Sequence, residues 1–309
     1  MVRPSALQPG PATKQEAEIA ANPVTPQPDR QAVAIEELDA FAKESIEIAE
    51  TVLQDFPSKS EPLGLIGMVY NRCGQTAKAV GYWEQALDRD PNRPDLYDAM
   101  VTVALRKGEY EKAAVLCRKG LGLSAQMPHL HGQLVEALNG LGCIEESVSE
   151  LQTATRLFPE NGEFHRRLAN AYAMLNEDRK AKSCYETAVK LQPRSASAHY
   201  GLALACAKLG LEDQSTRAME QFQRLKAESF PAQRDPRGVA DDALNGRRNL
   251  AITCADAGTI YIDNGMPEKA EPLLRRGAEV DPNNLGCRIQ LKQILLQHEP
   301  GDGDRSYRP

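Results

Sequence analysis

Apolar residues recur three and four positions apart from about residue 31 to residue 298, and Pro, Gly and Asn interrupt them at intervals. That spacing places apolar side chains on one face of an α-helix, and no stretch alternates as a strand would. The interruptions are themselves periodic. Pro57, Pro91, Pro159 and Pro193 lie on a ladder whose step is 34 residues or a multiple of it. Gly74, Gly108, Gly142 and Gly210 form a second ladder with the same step, and Asn176 fills its missing rung. Gly and Asn tolerate the left-handed backbone of a tight interhelical turn, and proline stops one helix before the next begins. The pattern predicts an all-α chain of short helix pairs, each stacked on its neighbours.

Within the unit at Ser60 to Arg93, the first helix carries Leu63, Ile66, Gly67 and Tyr70, and the second carries Ala79, Trp83 and Ala86 before Pro91. Small Gly67 and Ala79 let two helix backbones approach, and the large residues fill the space beside them. The template recurs in register at 94–127, 128–161, 162–195 and 196–229. These units carry Tyr97, Met100, Val101 and Ala104; His131, Leu134, Val135 and Leu138; His165, Leu168, Ala169 and Tyr172; and His199, Leu202, Ala203 and Cys206. It resembles the tetratricopeptide pattern W-x₂-L-G-x₂-Y…A-x₃-F…P, with Leu63 in place of the first Trp and Trp83 in place of the Phe. The resemblance covers about residues 60–284 and implies a right-handed α-solenoid of antiparallel helix pairs, a tetratricopeptide (TPR) superhelix.

Register breaks after the fifth unit. Gly265 lies 55 residues beyond Gly210, one step plus 21. The organisation expected is therefore a Pro-rich disordered tail at 1–30, a capping helix or partial repeat at 31–59, and five repeats at 60–229. An insertion at 230–250, a repeat at 251–284, a closing helix at 285–298 and a disordered tail at 299–309 complete it. In the insertion a loop gives way, from about Val239, to an over-long first helix for the last repeat. The whole is expected to be an extended rod with a looser C-terminal unit.

Composition narrows the chemistry. The net charge of −6 opposes affinity for nucleic acid and so disfavours the RNA-binding pentatricopeptide repeat, which needs a basic groove. No apolar run reaches membrane-spanning length, so no membrane insertion is expected. Seven cysteines without a C-x-x-C match neither a disulfide framework nor a zinc site and favour a reducing, cytoplasmic compartment. The opening MVRPSALQPGPATKQ also fits a linker behind a cleaved export signal, so an exported location stays open if the true N-terminus lies upstream.

No catalytic motif, cofactor loop or metal-ligand spacing is present, and no enzymatic activity, cofactor or metal is expected. His131, His165 and His199 stand on successive first helices. Equivalent helices lie about 10 Å apart, too far for one shared ion, so the histidines are read as packing residues. In the tetratricopeptide family the first helices line a concave groove. The positions rotated away from the buried stripe give Glu61, Met68, Asp98, Thr102, Leu105, Glu136, Asn139, Arg166, Asn170, Tyr200 and Leu204 as the candidate partner-binding residues, with Gly64 and Asp95 beside them. Arg166 and Asn170 match one element of the Lys/Asn clamp by which some family members hold chaperone C-termini, but the neighbouring repeats lack the rest. The wall reads as acidic with apolar patches, opposed only by Arg166 and Lys208. The function expected is a non-catalytic scaffold holding a basic, amphipathic protein segment. The alternative is an accessory subunit of an enzyme system, such as a glycosyltransferase, whose catalytic part lies on another chain.

Overall fold

The computed structural model describes residues 30–228 and 238–298. The two expected tails and the loop expected after residue 229 lie outside the described residues. Helix α1 (Arg30–Asp55) precedes five pairs: α2 (Ser60–Arg72) with α3 (Thr76–Arg89), α4 (Pro94–Arg106) with α5 (Tyr110–Leu123), and α6 (Pro128–Gly140) with α7 (Ile144–Leu157). The series continues with α8 (Gly162–Met174) and α9 (Asp178–Leu191), then α10 (Ala196–Lys208) and α11 (Glu212–Glu228). A sixth pair, α12 (Gly238–Asp263) with α13 (Pro267–Val280), is followed by α14 (Leu285–His298). The fold is an all-α solenoid.

Each pair turns through a left-handed residue. Asn176 has φ +59°, and the ladder glycines from Gly74 to Gly265 have φ between +70° and +74°. The next N–H closes the turn on a carbonyl five residues back, as from Gln75 to Tyr70 at 2.8 Å and from Glu177 to Tyr172 at 2.9 Å. Carbonyls left open at the helix end are thereby satisfied. Inside the first pair a Cβ on Gly67 would stand 2.4 Å from the Trp83 ring, so only glycine fits. Trp83 is wholly buried, and its Nε1–H has no acceptor.

The five-pair stack ends at α11 for a reason visible along the chain. One position of the second helix reads Ala86, Gly120, Ala154 and Ala188, then Phe222. Gly120 shows why it must be small, because a Cβ there would meet Leu130 of the following helix at 2.6 Å. Phe222 instead turns to Tyr200 of its own pair, with ring centroids 5.0 Å apart. Ala227 replaces the proline, and α11 runs on to 17 residues.

At the other end the chain departs from purely sequential stacking. The sixth pair packs on α1 and α2, about 200 positions away in sequence. Tyr261 donates to Asp55 at 2.6 Å, and a Cβ on Gly246 would touch Leu38 at 2.8 Å, so α1 runs parallel to α12. Lys269 reaches Asp55 at 2.8 Å and Arg276 grips Glu44 at 2.7 and 2.9 Å, so α1 runs antiparallel to α13. Against α2, α12 is also antiparallel, since Lys59 bonds Asn264 and Arg72 lies 3.8 Å from Asp256.

The side of α2 used here is informative. At later junctions the equivalents of Arg72 and Leu65 reach back to the preceding first helix: Arg106 to Asn71 at 3.2 Å, Gln133 to Thr102 at 2.8 Å, and Arg167 to the Gly132 carbonyl at 3.1 Å. Helix α12 therefore stands where a preceding first helix would stand, but reversed. The two arrays meet head to head, and α1 fills the second layer between α13 and α3. One hydrophobic core accordingly runs through α1–α6 and α12–α14, and a second serves α6–α10.

Two predictions follow from this packing. Trp83→Ala should lower stability by about 3–5 kcal/mol in a chemical denaturation, by leaving a cavity between two helices. Trp83→Phe should cost less than about 1.5 kcal/mol, because it removes the unpaired N–H along with the volume. Equal losses for the two would contradict this account. Phe56 closes the end of α1 against Tyr261, with ring centroids 5.6 Å apart. Phe56→Ala should therefore speed amide exchange in α12 and α13 while leaving α8 and α9 protected. Uniform acceleration along the chain would argue against head-to-head packing.

Candidate partner-binding surface

The first helices form a wall in the order α10, α8, α6, α4, α2, and the head-to-head junction extends it through α12 to α14. Thr259 of α12 lines the junction cleft beside Glu61, Gly64 and Met68, and it also accepts from Gln290 of α14 at 2.9 Å. That cleft, of about 320 Å³, receives Glu61 and Asp95 from one array and Asp256 and Asp263 from the other.

Several expected groove residues are engaged within the wall. Asp98 accepts from His129 at 2.7 Å, Thr102 accepts from Gln133, and Asn170 accepts from the Tyr185 hydroxyl at 2.5 Å. Arg166 is clamped to Glu163 at 2.6 and 2.8 Å, with Arg167 on the same carboxylate at 2.8 Å. Burial works to raise the Glu163 carboxyl, but the hydrogen bonds from Arg166 and Arg167 outweigh it and hold the group below its ordinary range. Gly64 is buried beneath Arg93 and Leu96 and offers no surface. Glu136 and Asn139 are exposed with no side-chain partner, and Glu61 is exposed at the cleft. Tyr200 and Leu204 stand 43% and 45% exposed at the α10 end, with Met68 and Leu105 half-buried between.

The charge count along the wall needs correcting. Arg93 neutralises Asp95 at 2.6 Å, and Arg72, Arg106 and Arg167 join Arg166 and Lys208. Burial also raises the Asp256 carboxyl above its ordinary range, against the pull of Arg72. The wall is thus a mixed surface whose unpaired carboxylates are few. Beyond the expected residues it gains Asp256, Thr259 and Asp263 from α12 and Leu285, Ile289 and Leu296 from α14. Carrying the 34-residue register into the last pair marks Thr259, Ile289 and Leu296 as groove positions, but only the junction joins them to the rest.

The three periodic histidines are structural. The Nε2–H of each donates at 3.0 Å to a carbonyl six residues back: Ala125 for His131, Pro159 for His165 and Pro193 for His199. These carbonyls lie in the connections between pairs, where no helix bond reaches them. The thiols of Cys117 and Cys254 are pushed up to about 12 and that of Cys287 to about 11, chiefly by burial, which keeps them unreactive. Among the described residues no group of His, Cys, Asp or Glu could hold a metal ion, and no helix is long and apolar enough to cross a membrane.

A stacked array of helix pairs whose first helices form one side-chain-lined wall belongs to the helical-repeat class. The family follows from comparison with known proteins. A family model described as Tetratricopeptide repeat matches residues 60–93 and 251–284, and a second of the same description matches 179–231. The chain is a tetratricopeptide repeat protein, a fold that is typically a non-catalytic scaffold for other proteins. A model described as Bacterial transcriptional activator domain matches residues 121–195. No curated protein matches the sequence. Among solved structures, a crystal structure of MamA is 20% identical with a TM-score of 0.50, over 53% of this chain and 95% of that one. MamA residues 41 to the end from Desulfovibrio magneticus RS-1 is 16% identical with a TM-score of 0.51, over 56% and 97%. These likenesses establish the fold over about half of the chain.

His131 generates a pH prediction. Its Nε2–H donates to the Ala125 carbonyl and its Nδ1 meets the Glu150 carboxylate, an arrangement that favours the protonated ring. The Glu150 hydrogen bond raises its pKa. A raised histidine pKa contributes stability that is complete below the unfolded-chain value of about 6.5 and is lost as pH rises through the folded value. The melting temperature of the wild type should therefore exceed that of Glu150→Gln at about pH 6, with the gap narrowing toward about pH 9. A gap independent of pH would show that His131 is neutral.

Proposed function

We propose that the protein is a non-catalytic scaffold that holds a segment of another protein along the concave wall, between α2 and α10. The observation that supports this is a line of side chains left open along the wall: Glu136 and Asn139 without side-chain partners, and Tyr200 and Leu204 exposed in line with them. The candidate contacts are Glu61, Met68, Asp98, Thr102, Leu105, Glu136, Asn139, Arg166, Asn170, Tyr200 and Leu204. Tyr200, braced by Phe222, is a pre-ordered aromatic anchor that loses little entropy on binding. Unpaired Glu136 and half-buried Asp98 favour a segment carrying Lys or Arg beside apolar residues. The match of residues 121–195 to the bacterial transcriptional activator domain favours a second reading, in which the held protein belongs to a transcription complex.

Capture with the intact chain, identification of the partner, and association kinetics test the first reading. Asp98→Lys with Glu136→Lys should slow association about tenfold at low salt and flatten its salt dependence. Association unchanged by the double variant, with circular dichroism intact, would put the partner elsewhere. Capture of transcription components would select the second reading for the partner.

A further inference from the structure

Helix α14 is apolar on two faces and covered on one. Cys287 and Ile294 are buried against the sixth pair, whereas Leu285, Ile289 and Leu296 are 65%, 55% and 58% exposed. A terminal helix of a repeat array is expected to turn a polar face outward, because an apolar one invites association. Here the position is polar only in part. Arg288 and Lys292 take two of the places where inner first helices meet their own second helix, and Leu295, 40% exposed, takes a third, so that side of α14 is charged in the main. Ile289 and Leu296 instead occupy groove-lining places, with Leu285 beside them, and Ile252 of α12, 40% exposed, continues the band. It spans Leu285 to Leu296 of α14, about 16 Å at the helical rise, which suits three or four anchor side chains of a docked helix.

We infer that this band is the docking site for an amphipathic helix of a partner protein, basic along one flank and acidic along the other. The flanks argue for that occupant. Asp256 and Asp263 of α12 border the band on the side of the junction cleft, and Arg288 and Lys292 border it on the outside. A helix with Lys or Arg on one edge and Asp or Glu on the other meets both borders with opposite charge. An antiparallel second copy is less suited, because each flank would meet its own counterpart and set Arg288 and Lys292 against the same residues; a parallel second copy is the competing occupant that the test below detects as a dimer. The inference rests on the reading that the concave wall holds protein segments, and it places the apolar anchor of such a segment on α14, beyond the five in-register repeats.

The test uses the full chain and a synthetic probe helix of about 16 residues. The probe has leucines at i, i+3, i+4 and i+7, lysines on one flank and glutamates on the other, and is compared with its scrambled isomer. By fluorescence anisotropy the wild type should bind the helix about tenfold more tightly than the scrambled peptide. Ile289→Ser with Leu296→Ser should erase that preference without changing circular dichroism, since both side chains are exposed. Asp98→Lys with Glu136→Lys should keep it. No preference in the wild type, or a preference the α14 variant leaves intact, would overturn the inference. If only the Asp98/Glu136 variant lost binding, the groove reading would stand and this one would fall. A wild-type dimer converted to monomer by the α14 variant, in light scattering, would assign the band to a second copy and likewise overturn it.

Discussion

A pair of short antiparallel helices cannot bury both of its faces by itself, and the architecture of this protein follows from that constraint. Inside the array the difficulty does not arise, because each pair covers the next and small residues such as Gly67 and Gly120 let the backbones close to contact distance. At the ends it must be met some other way. The C-terminal end of the five-pair stack meets it locally, by enlarging Ala to Phe222 and folding that ring onto Tyr200. The N-terminal end meets it at long range, by borrowing α12 to stand before α2 and setting α1 beneath both.

The borrowed helix has consequences for the surface. Reversing α12 lets the same side of α2 that grips a preceding helix elsewhere grip a sequence-distant one, with Arg72 and Asp256 replacing the Arg106–Asn71 contact. Two helices side by side and antiparallel in one layer keep the same face outward, so the wall continues across the junction instead of inverting. The partly exposed ion pairs at this interface, Arg276 with Glu44 and Lys269 with Asp55, set register more than they add stability. Stability there comes from the shared core, in which Val52 and Phe56 pack with Leu250, Cys254 and Tyr261.

The same economy governs the polar residues of the wall. Most of its charges satisfy one another: Arg93 with Asp95 at the start of α4, Arg166 and Arg167 with Glu163 within α8, and His129 with Asp98 between successive first helices. Among the described residues, Glu136, Asn139, Tyr200 and Leu204 on the main wall and the apolar band on α14 are left exposed.

Much of this was legible in the order of residues, because short-range contacts leave periodic marks. The 34-residue step, the left-handed turns at Gly74 through Gly210 and at Asn176, and the tight Gly67–Trp83 contact are set by residues a few positions apart, and so local sequence determined the helix pairs and their stacking. The rotation of each first helix could be read in the same way, which put Glu136 and Tyr200 on the open face. What the sequence could not convey is which surfaces from distant parts of the chain meet. Nothing in the local pattern of α1 announces α12 as its neighbour, since Asp55 and Lys269 are ordinary surface choices for their own helices and Tyr261 stands where the repeat pattern itself places a tyrosine. Nor does Arg93 near Asp95, or Gly64 beneath Leu96, declare itself before the helices are packed. Tertiary structure alone decided the head-to-head junction and hence the true extent and charge of the wall, because burial at that junction depends on shape matching between segments about 200 residues apart, for which a repeat pattern carries no signal.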